Sequence, residues 1–240
     1  MDGKNRSIAG TFRTLLVFVW VIVSVVVCGT FTLLFAPLSR RFALGISSLW
    51  NRQLLYLAGI SVKVAGLEKL DPRKRYVFIS NHQSHIDIPV LIASLKYPLS
   101  FIAKKELFII PFFGWGLYAL GHIWIDRGNA RKALISIKKA VDRLQRGNIS
   151  LVLFPEGTRS RDGALGQFKQ GSFSLVKQAG VEVVPLAIKN TSSILPKYSK
   201  RIHSGTAHLT ICDPVTIEEA SSKAEISEML RAVIQKALTE

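Results

Sequence analysis

The feature that most constrains this chain is a long stretch near its N-terminus that contains no charged side chain. It covers residues 14–39, and its central part, residues 15–35, consists mostly of Val, Leu, Ile and Phe. About 20 apolar residues in a helix are enough to cross the hydrocarbon core of a bilayer. The stretch is longer than the core of a signal peptide and has no convincing small-residue cleavage site. It therefore predicts a membrane-embedded helix that anchors the chain.

The depth to which this segment enters the bilayer stays open. Gly29, Thr30 and Pro37 are compatible with a bent, re-entrant helix, and basic residues at both ends of the segment give no orientation. A second stretch, residues 49–60, combines Trp, Tyr and Leu with a basic residue, which is typical of an interfacial amphipathic helix. A core helix is an equally good interpretation of that stretch. We assign residues 1–60 to membrane-anchoring helices.

The charge balance indicates an anionic partner. Lys and Arg number 32 against 16 acidic residues, which gives a net charge of +16, and the mean hydropathy is +0.27. Such a charge attracts nucleic acid, anionic lipid or an acidic carrier, and the high hydrophobicity favours lipid. Neither an aromatic stacking platform nor a recognition helix points to nucleic acid. Cys28 and Cys212 have no metal-site spacing, and the apolar setting of Cys28 argues against a disulfide, so we expect a cytosol-facing domain.

From residue 61 onward, strand-like runs alternate with helix-like segments, which predicts an α/β fold with a layered mixed sheet flanked by helices. Strands are predicted at residues 61–64, 76–79, 99–103, 122–125, 150–154, 181–188 and 207–212. Helices are predicted over residues 131–146, 171–178 and 222–238, and a further helix has Asn81 as its N-cap. No repeat or low-complexity linker interrupts this region, so residues 61–240 are assigned to one domain.

The first candidate site is His82, which lies where a predicted strand meets a predicted helix and is followed five residues later by Asp87. On a regular helix that offset turns by about 140°, so the two side chains meet only if His82 lies in the entering loop. A histidine whose second ring nitrogen bonds a carboxylate has a fixed tautomer and is a better proton acceptor. The plainer interpretation is a helix cap with a first-turn carboxylate that complements the helix dipole.

The second candidate site follows another predicted strand, at residues 154–160. Gly157 lets the backbone approach a ligand closely, Thr158 offers a hydroxyl, and Arg159 offers a planar guanidinium group suited to phosphate. Glu156 has two candidate roles, which are to orient Arg159 or to bond the backbone of the first site. An ordinary turn is an equally good interpretation of this segment taken alone.

Two further basic residues, Arg127 at the end of a predicted strand and Lys105, are candidates to face a phosphate group. The segment 108–115 between them is apolar, rich in aromatic residues and too short to span a bilayer. It fits a wall for an acyl chain, a surface that dips into lipid, or simple core.

Together, these residues resemble the glycerolipid acyltransferase family, specifically the 1-acyl-sn-glycerol-3-phosphate acyltransferases, from about residue 61 to residue 188. Four motifs occur in the family's order: Asn81-His82-x4-Asp87, Gly121-His122-Ile123-Trp124-Ile125-Asp126-Arg127, Phe154-Pro155-Glu156-Gly157-Thr158-Arg159-Ser160 and Val184-Pro185-Leu186-Ala187-Ile188. The segment Lys105-Glu106-Leu107 with Pro111 and Gly114 also matches. His122 is a mild departure, because that position is usually small or apolar.

The resemblance implies transfer of a fatty acyl group from acyl-CoA or acyl-acyl carrier protein to the 2-hydroxyl of lysophosphatidic acid, which forms phosphatidic acid. His82 would take the proton of that hydroxyl, and Asp87 would orient His82. The residues that would hold the acceptor are Lys105, Arg127, Glu156, Gly157, Thr158 and Arg159. Backbone N–H groups at the start of the helix are candidates to stabilise the oxyanion.

The resemblance also implies direct transfer without an acyl-enzyme, and neither a cofactor nor a metal is expected. The enzyme would sit in the cytoplasmic membrane, with its catalytic domain in residues 61–240 facing the cytosol.

Two alternatives are kept. In the first, the acceptor is another lyso-lipid, such as lyso-ornithine lipid or lysophosphatidylglycerol, and His82 and Asp87 keep their roles. In the second, the chain is a basic membrane-anchored protein that binds nucleic acid or lipid without catalysis, and its binding weakens steeply with salt.

Overall fold

A computed structural model describes residues 2–126, 128, 130–147 and 149–240 of the chain. Seven strands form one sheet: β1 (Ile60–Ala65), β2 (Val77–Ser80), β3 (Leu99–Lys104), β4 (Ile123–Ile125), β5 (Ser150–Leu153), β6 (Val183–Lys189) and β7 (Gly205–Ile211). Their order across the sheet is β1-β7-β6-β2-β5-β3-β4. The β6–β7 pair is antiparallel and the other neighbours are parallel, so the sheet is mixed, as predicted. All seven predicted strands are present, with bounds shifted by one or two residues.

Eight helices accompany the sheet in the part of the chain described above: α1 (Asp2–Phe35), α2 (Arg40–Leu57), α3 (Asp87–Ser94), α4 (Phe113–Ala119), α5 (Ala130–Arg146), α6 (Phe173–Ala179), α7 (Thr191–Ile194) and α8 (Lys223–Thr239). Short 3-10 turns occupy Leu67–Lys69, Lys105–Leu107 and Gln170–Ser172. The sequence did not predict α4 or α7, and α2 begins well before the predicted segment 49–60. The helix of residues 171–178 starts as a 3-10 turn and becomes α-helical at Phe173.

The central strands carry apolar side chains on both faces, because helices cover both faces of the sheet. On one face, Phe78 of β2 belongs to the core that includes Leu55 of α2 and Leu91 of α3. On the other face, the neighbouring residue Ile79 belongs to the core formed with α5, α6 and α8, which includes Leu144 of α5. The sheet is therefore the middle of three layers, and its strand ends are left free to carry polar loops.

The two N-terminal helices form a hairpin that packs against the first of these faces. Trp20 of α1 stacks on Trp50 of α2 with ring centroids 5.7 Å apart, and the Trp50 indole N–H donates to Ser24 Oγ at 2.8 Å. Helix α1 runs unbroken through Gly29 to Phe35, so of the two forms left open by the sequence the structure has no break at this glycine. A Cβ at Gly29 would come within 2.8 Å of the Phe112 carbonyl oxygen, so this glycine serves the close approach of α1 to the start of α4.

Among the described residues, one helical segment is long and apolar enough to cross a membrane, Gly10–Phe35 within α1. Only 11% of its most apolar window is buried within the protein. A helix that leaves most of its apolar surface uncovered requires a non-aqueous environment, because exposed apolar area is unfavourable in water.

His122, the residue that departs from the second motif, is buried just before β4. Its Nδ1 accepts a hydrogen bond from the Phe101 N–H at 3.1 Å. Two guanidinium groups lie beside it: Arg40 Nη2 donates to the Leu120 carbonyl at 3.2 Å, and Arg143 Nη1 donates to the Gly121 carbonyl at 2.8 Å. Burial, with these two positive charges, lowers the pKa of His122 to about 4.

This depressed pKa predicts a loss of stability in mild acid. Between the ordinary histidine value of 6.5 and about 4, the unfolded chain binds a proton on this ring that the folded chain excludes. Stability therefore falls as the pH decreases through that window, by about 2 kcal/mol between pH 7 and pH 5. Denaturant unfolding in detergent at both pH values measures the loss.

The matched variant is His122→Asn, whose side-chain oxygen can still accept from the Phe101 N–H. Its stability should depend less on pH than that of the wild-type protein by the same amount. Equal pH dependence of the two proteins would show that His122 titrates normally in the folded state.

Candidate active site

The first candidate site lies in the loop that leaves β2 at the carboxyl end of the sheet. The structure begins α3 at Asp87, with residues 81–86 in an irregular loop, so the prediction of Asn81 as the N-cap is wrong. The Asn81 side chain instead donates to the Ile188 carbonyl and accepts from the Ile188 N–H, both at 2.8 Å. It continues the hydrogen bonding of β6 and fixes the start of the loop.

This loop brings His82 and Asp87 together. His82 Nδ1 lies 2.7 Å from Asp87 Oδ2, which also accepts from the N–H groups of Gln83 at 2.7 Å and Ser84 at 2.8 Å. The second carboxylate oxygen accepts from the hydroxyl of Thr191. The Asp87 side chain is fully buried, and these four donors replace the water that burial removes.

The hydrogen bond also assigns the histidine tautomer. An ionised carboxylate only accepts hydrogen bonds, so the proton of the neutral His82 ring is on Nδ1 and Nε2 keeps its lone pair. The ring stacks on Phe154 with centroids 4.1 Å apart, and 15% of the side chain is exposed. His82 thus presents a fixed proton acceptor at a partly open surface.

Glu156 joins the second candidate site to the first. Its Oε1 accepts from the backbone N–H of His82 at 2.8 Å, and its Oε2 accepts from the backbone N–H of Gly166 at 3.0 Å. Of the two roles predicted for Glu156, the structure confirms the second, a hydrogen bond to the backbone of the first site. Burial raises the pKa of Glu156, although the two N–H donors act in the opposite direction.

The prediction that backbone N–H groups near His82 stabilise the oxyanion is wrong for three of them, because each already donates to a carboxylate. The N–H of His82 donates to Glu156, and the N–H groups of Gln83 and Ser84 donate to Asp87. These donors hold the loop of residues 81–86 in shape and are not free for a substrate oxygen.

The residues that follow Glu156 form a turn over the first site. Gly157 has φ +70°, a left-handed conformation that favours glycine. The side chain of Lys197, from the segment after α7, donates to Thr158 Oγ1 at 3.1 Å and to the Arg159 carbonyl at 2.6 Å. The Ser160 N–H donates to the His82 carbonyl at 2.7 Å, which holds this turn against the first site. Partial burial and the positive charge of Arg159 lower the pKa of His85.

Of the two other basic candidates, Lys105 and Arg127, only Lys105 is among the described residues. Lys105 Nζ forms an ion pair with Asp126 Oδ2 at 2.7 Å, so it contacts the second motif. Arg127 lies outside the described residues.

An apolar cavity of about 320 Å³ begins beside His85 and extends between α1, α2, α3 and α4. Its lining includes Ile88 and Ile92 of α3 and, from the segment that follows β3, Leu107 and Phe112. The segment 108–115 therefore contributes to a cavity wall as well as to the surface, where Ile109 and Trp115 are exposed.

Comparison with known proteins places this geometry in context. A family model described as Acyltransferase matches residues 61–189. The 1-acyl-sn-glycerol-3-phosphate acyltransferase of Salmonella typhimurium is 30% identical over 226 residues, which cover 92% of this chain and 91% of that protein. The crystal structure of the 1-acyl-sn-glycerophosphate (LPA) acyltransferase from Thermotoga maritima is 28% identical, with a TM-score of 0.87 over 97% of this chain and 95% of that one.

Plant relatives are longer. The chloroplast 1-acyl-sn-glycerol-3-phosphate acyltransferase of Arabidopsis thaliana is 35% identical over 209 residues, covering 86% of this chain but 57% of that protein. A chloroplast relative from Brassica napus is covered over 54% of its length. The chain thus spans little more than half the length of these plant relatives.

Sequence reasoning missed two residues that shape the site, Thr191 and Lys197. Thr191 begins α7 directly after β6 and is fully buried, and Lys197 follows the same short helix. A polar residue immediately after a buried strand was the available signal for Thr191.

The bond between Thr191 and Asp87 predicts a measurable coupling. Thr191→Val keeps the shape but leaves one oxygen of a buried carboxylate without its donor, which should lower the free energy of unfolding by about 1–3 kcal/mol. In a background of Asp87→Ala, which has no group to pair with the hydroxyl, the same change should cost much less, and Thr191→Ser should retain the bond. Denaturant unfolding of the two single variants and the double variant gives the coupling energy. Additive effects would contradict the interaction.

Proposed function

Because this chain belongs to the acyltransferase family, we propose that it transfers a fatty acyl group from a thioester to the 2-hydroxyl of 1-acyl-sn-glycerol-3-phosphate, forming phosphatidic acid. The activity in the names of its bacterial and plant relatives supports this proposal. The observation that carries it is the His82–Asp87 pair in a loop whose His85 lines an apolar cavity. That pair supplies the base that the reaction needs, and the cavity suits an acyl chain.

His82 acts as the general base. An alcohol that attacks a thioester carbonyl must lose its proton, and Nε2 of His82 takes it while the alcohol oxygen bonds the carbonyl carbon. Asp87 stabilises the imidazolium that forms. When the tetrahedral intermediate collapses, the carbon–sulfur bond breaks and the imidazolium returns the proton to the leaving thiolate. The products are an ester and a free thiol, and His82 regains its starting form.

The acceptor's phosphate binds to the turn that carries Arg159. A guanidinium group forms two parallel bonds to phosphate oxygens, and the left-handed Gly157 allows close approach of the backbone. Lys197 fixes this turn through Thr158 Oγ1 and the Arg159 carbonyl, which restricts the backbone that carries the guanidinium. Lys105 and Arg127 are further phosphate ligands in this proposal. In the Lys105–Asp126 ion pair the lysine side chain is about half exposed, and solvent screening weakens such a pair enough for Lys105 to turn to a substrate anion.

The acyl chain occupies the apolar cavity. The cavity runs from His85, in the loop that follows β2, to His122, which precedes β4 and so lies toward the amino ends of the strands. The adjacent strand β3 has six residues, a length of about 20 Å at 3.3 Å per residue, so an extended chain of many methylene groups fits beside it.

Residues 1–60 hold residues 61–240, the catalytic domain, on the cytoplasmic membrane with that domain facing the cytosol. The acceptor and the product are lipids and stay in the bilayer, whereas acyl-CoA or acyl-acyl carrier protein arrives from solution. The net charge of +16 attracts anionic lipid and an acidic donor alike. No cofactor or metal takes part in this scheme.

Replacement of the base tests the function directly. His82→Ala should remain folded and membrane-bound, and its acyl transfer should fall by at least about a hundredfold. Mass spectrometry of the lipid formed from 1-acyl-sn-glycerol-3-phosphate and acyl-CoA measures the rate. The control is His203→Ala, at an exposed histidine outside the site. A His82→Ala enzyme as fast as the control would refute the role of the base, and faster acylation of another lyso-lipid would refute the acceptor.

Arg159→Ala tests the phosphate site. Loss of the guanidinium should raise KM for the lysophospholipid by about tenfold or more, because a charge-assisted bond to phosphate is lost, with a smaller effect on KM for the donor. The control is Arg161→Ala, which removes an exposed arginine two residues further on. Steady-state kinetics at varied acceptor concentration measure the change. If both variants depend on acceptor like the wild-type enzyme, Arg159 does not bind the phosphate.

A further inference from the structure

A second cleft, of about 590 Å³, lies between the first turns of α2 and the segment that joins α3 to β3. Three basic residues line it, Arg40, Arg41 and Lys96, and His122 reaches it from the side of β4. Its other lining is largely apolar: Leu44, Ile92, Leu95, Pro98 and Leu99. The cleft therefore combines positive charge with an apolar wall, which is the chemistry of an amphiphile site.

The cleft adjoins the far end of the apolar cavity, since Ile92 and His122 line both, but it is distant from the His82–Asp87 pair. Leu99 begins β3 and pairs with Ser150 at the start of β5, whereas Glu156 follows the end of β5. The strand β2, which ends just before His82, runs parallel to β5. The candidate active site therefore lies at the carboxyl ends of the parallel strands, and the cleft lies at their amino ends.

Two hydrogen-bond donors at this cleft have no acceptor among the described residues. Nδ1 of His122 accepts from Phe101, so the neutral ring carries its proton on Nε2, and no described residue accepts that proton. Nε of Arg40 is buried and also has no partner in the described part of the chain, although Nη2 of the same side chain donates to Leu120. Buried donors are normally satisfied, so the Arg40 side chain calls for an acceptor from outside the chain, and the unpaired Nε2 of His122 offers a second donor to it.

The charges around the cleft are also unbalanced. Across the described residues, no carboxylate forms an ion pair with Arg40, Arg41, Lys96 or the neighbouring Arg143. Burial and the charge of Arg143 lower the pKa of Arg40, so the cationic form is held at a cost. An anion that enters the cleft would relieve that cost and supply the missing acceptor.

We propose that this cleft is a second, noncatalytic binding site for an anionic phosphate group carried by a membrane phospholipid. The phosphate accepts from Arg40 and His122, and Arg41 and Lys96 at the rim add favourable charge. A lipid suits the site better than free phosphate because the wall beside the charges is apolar. The adjoining tip of the α1–α2 hairpin also exposes Leu38 and Phe42, with 79% and 53% of their surface accessible.

Binding of short-chain lipids to the full-length protein in a neutral detergent tests the proposal. The probe is dioctanoyl phosphatidylglycerol, followed by isothermal titration calorimetry, with dioctanoyl phosphatidylcholine and inorganic phosphate as comparison ligands. Phosphatidylglycerol should bind at least about tenfold more tightly than either, because only it supplies both a net anion and acyl chains. Its binding should persist in Arg159→Ala, which separates this cleft from the proposed catalytic phosphate site.

Charge changes at the cleft supply the decisive comparison. Arg41→Glu and Lys96→Glu alter exposed rim residues and should each weaken phosphatidylglycerol binding by about tenfold. Arg40→Gln should weaken it at least as much, and the rim variants decide the matter if that protein fails to fold. The control is Lys63→Glu, which makes the same charge change on the exposed edge strand β1.

Three results would overturn the proposal. Equal affinity in the rim variants and in Lys63→Glu would remove the cleft as the site. Equal binding of phosphatidylcholine would mean that the lipid partitions without recognition of its charge. Inorganic phosphate that binds as tightly as phosphatidylglycerol would make this a site for the free ion.

Discussion

The candidate active site depends on one buried carboxylate and the donors that surround it. Asp87 accepts from His82, from two N–H groups of its own loop and from Thr191. A carboxylate buried without such donors would take up a proton and could no longer orient a histidine. Because Thr191 follows β6 and the loop follows β2, the histidine is oriented only after both strands have paired. Catalytic geometry in this protein is therefore a product of the completed sheet.

The sheet also determines where ligands can meet. The parallel strands β2 and β5 have their carboxyl ends side by side. The loops that follow them carry His82 and Glu156, and the backbone N–H of His82 donates to the Glu156 carboxylate. Helices α1 to α4 leave an apolar space along one face of the same sheet. A polar candidate site at the strand ends, whose loop also lines an apolar cavity through His85, suits a substrate that has a charged head and a long hydrocarbon tail.

The sequence was sufficient for features that depend on local pattern and insufficient for those that depend on distant contacts. Alternating apolar runs predicted the strands and the mixed, layered fold, and the condition that His82 lie in a loop was met. Asn81 misled because its bond to Ile188, 107 residues away, replaces the local cap. Thr191 was missed for the same reason, since its partner Asp87 is 104 residues distant. The helix α4 was not predicted because its seven residues are too few to show a helical period of apolar side chains.

The N-terminal hairpin has a second consequence beyond its proposed role as a membrane anchor. Val25, Cys28, Gly29 and Thr32 of α1 line the apolar cavity, and Gly29 touches the backbone of Phe112 on its far side. Helix α1, the candidate membrane helix, is thus one wall of the cavity that we propose for the acyl chain. A shortened, water-soluble version of the protein would lose that wall and open the compartment to solvent. Exchange of this helix between two such enzymes would exchange the shape of the compartment together with the means of attachment.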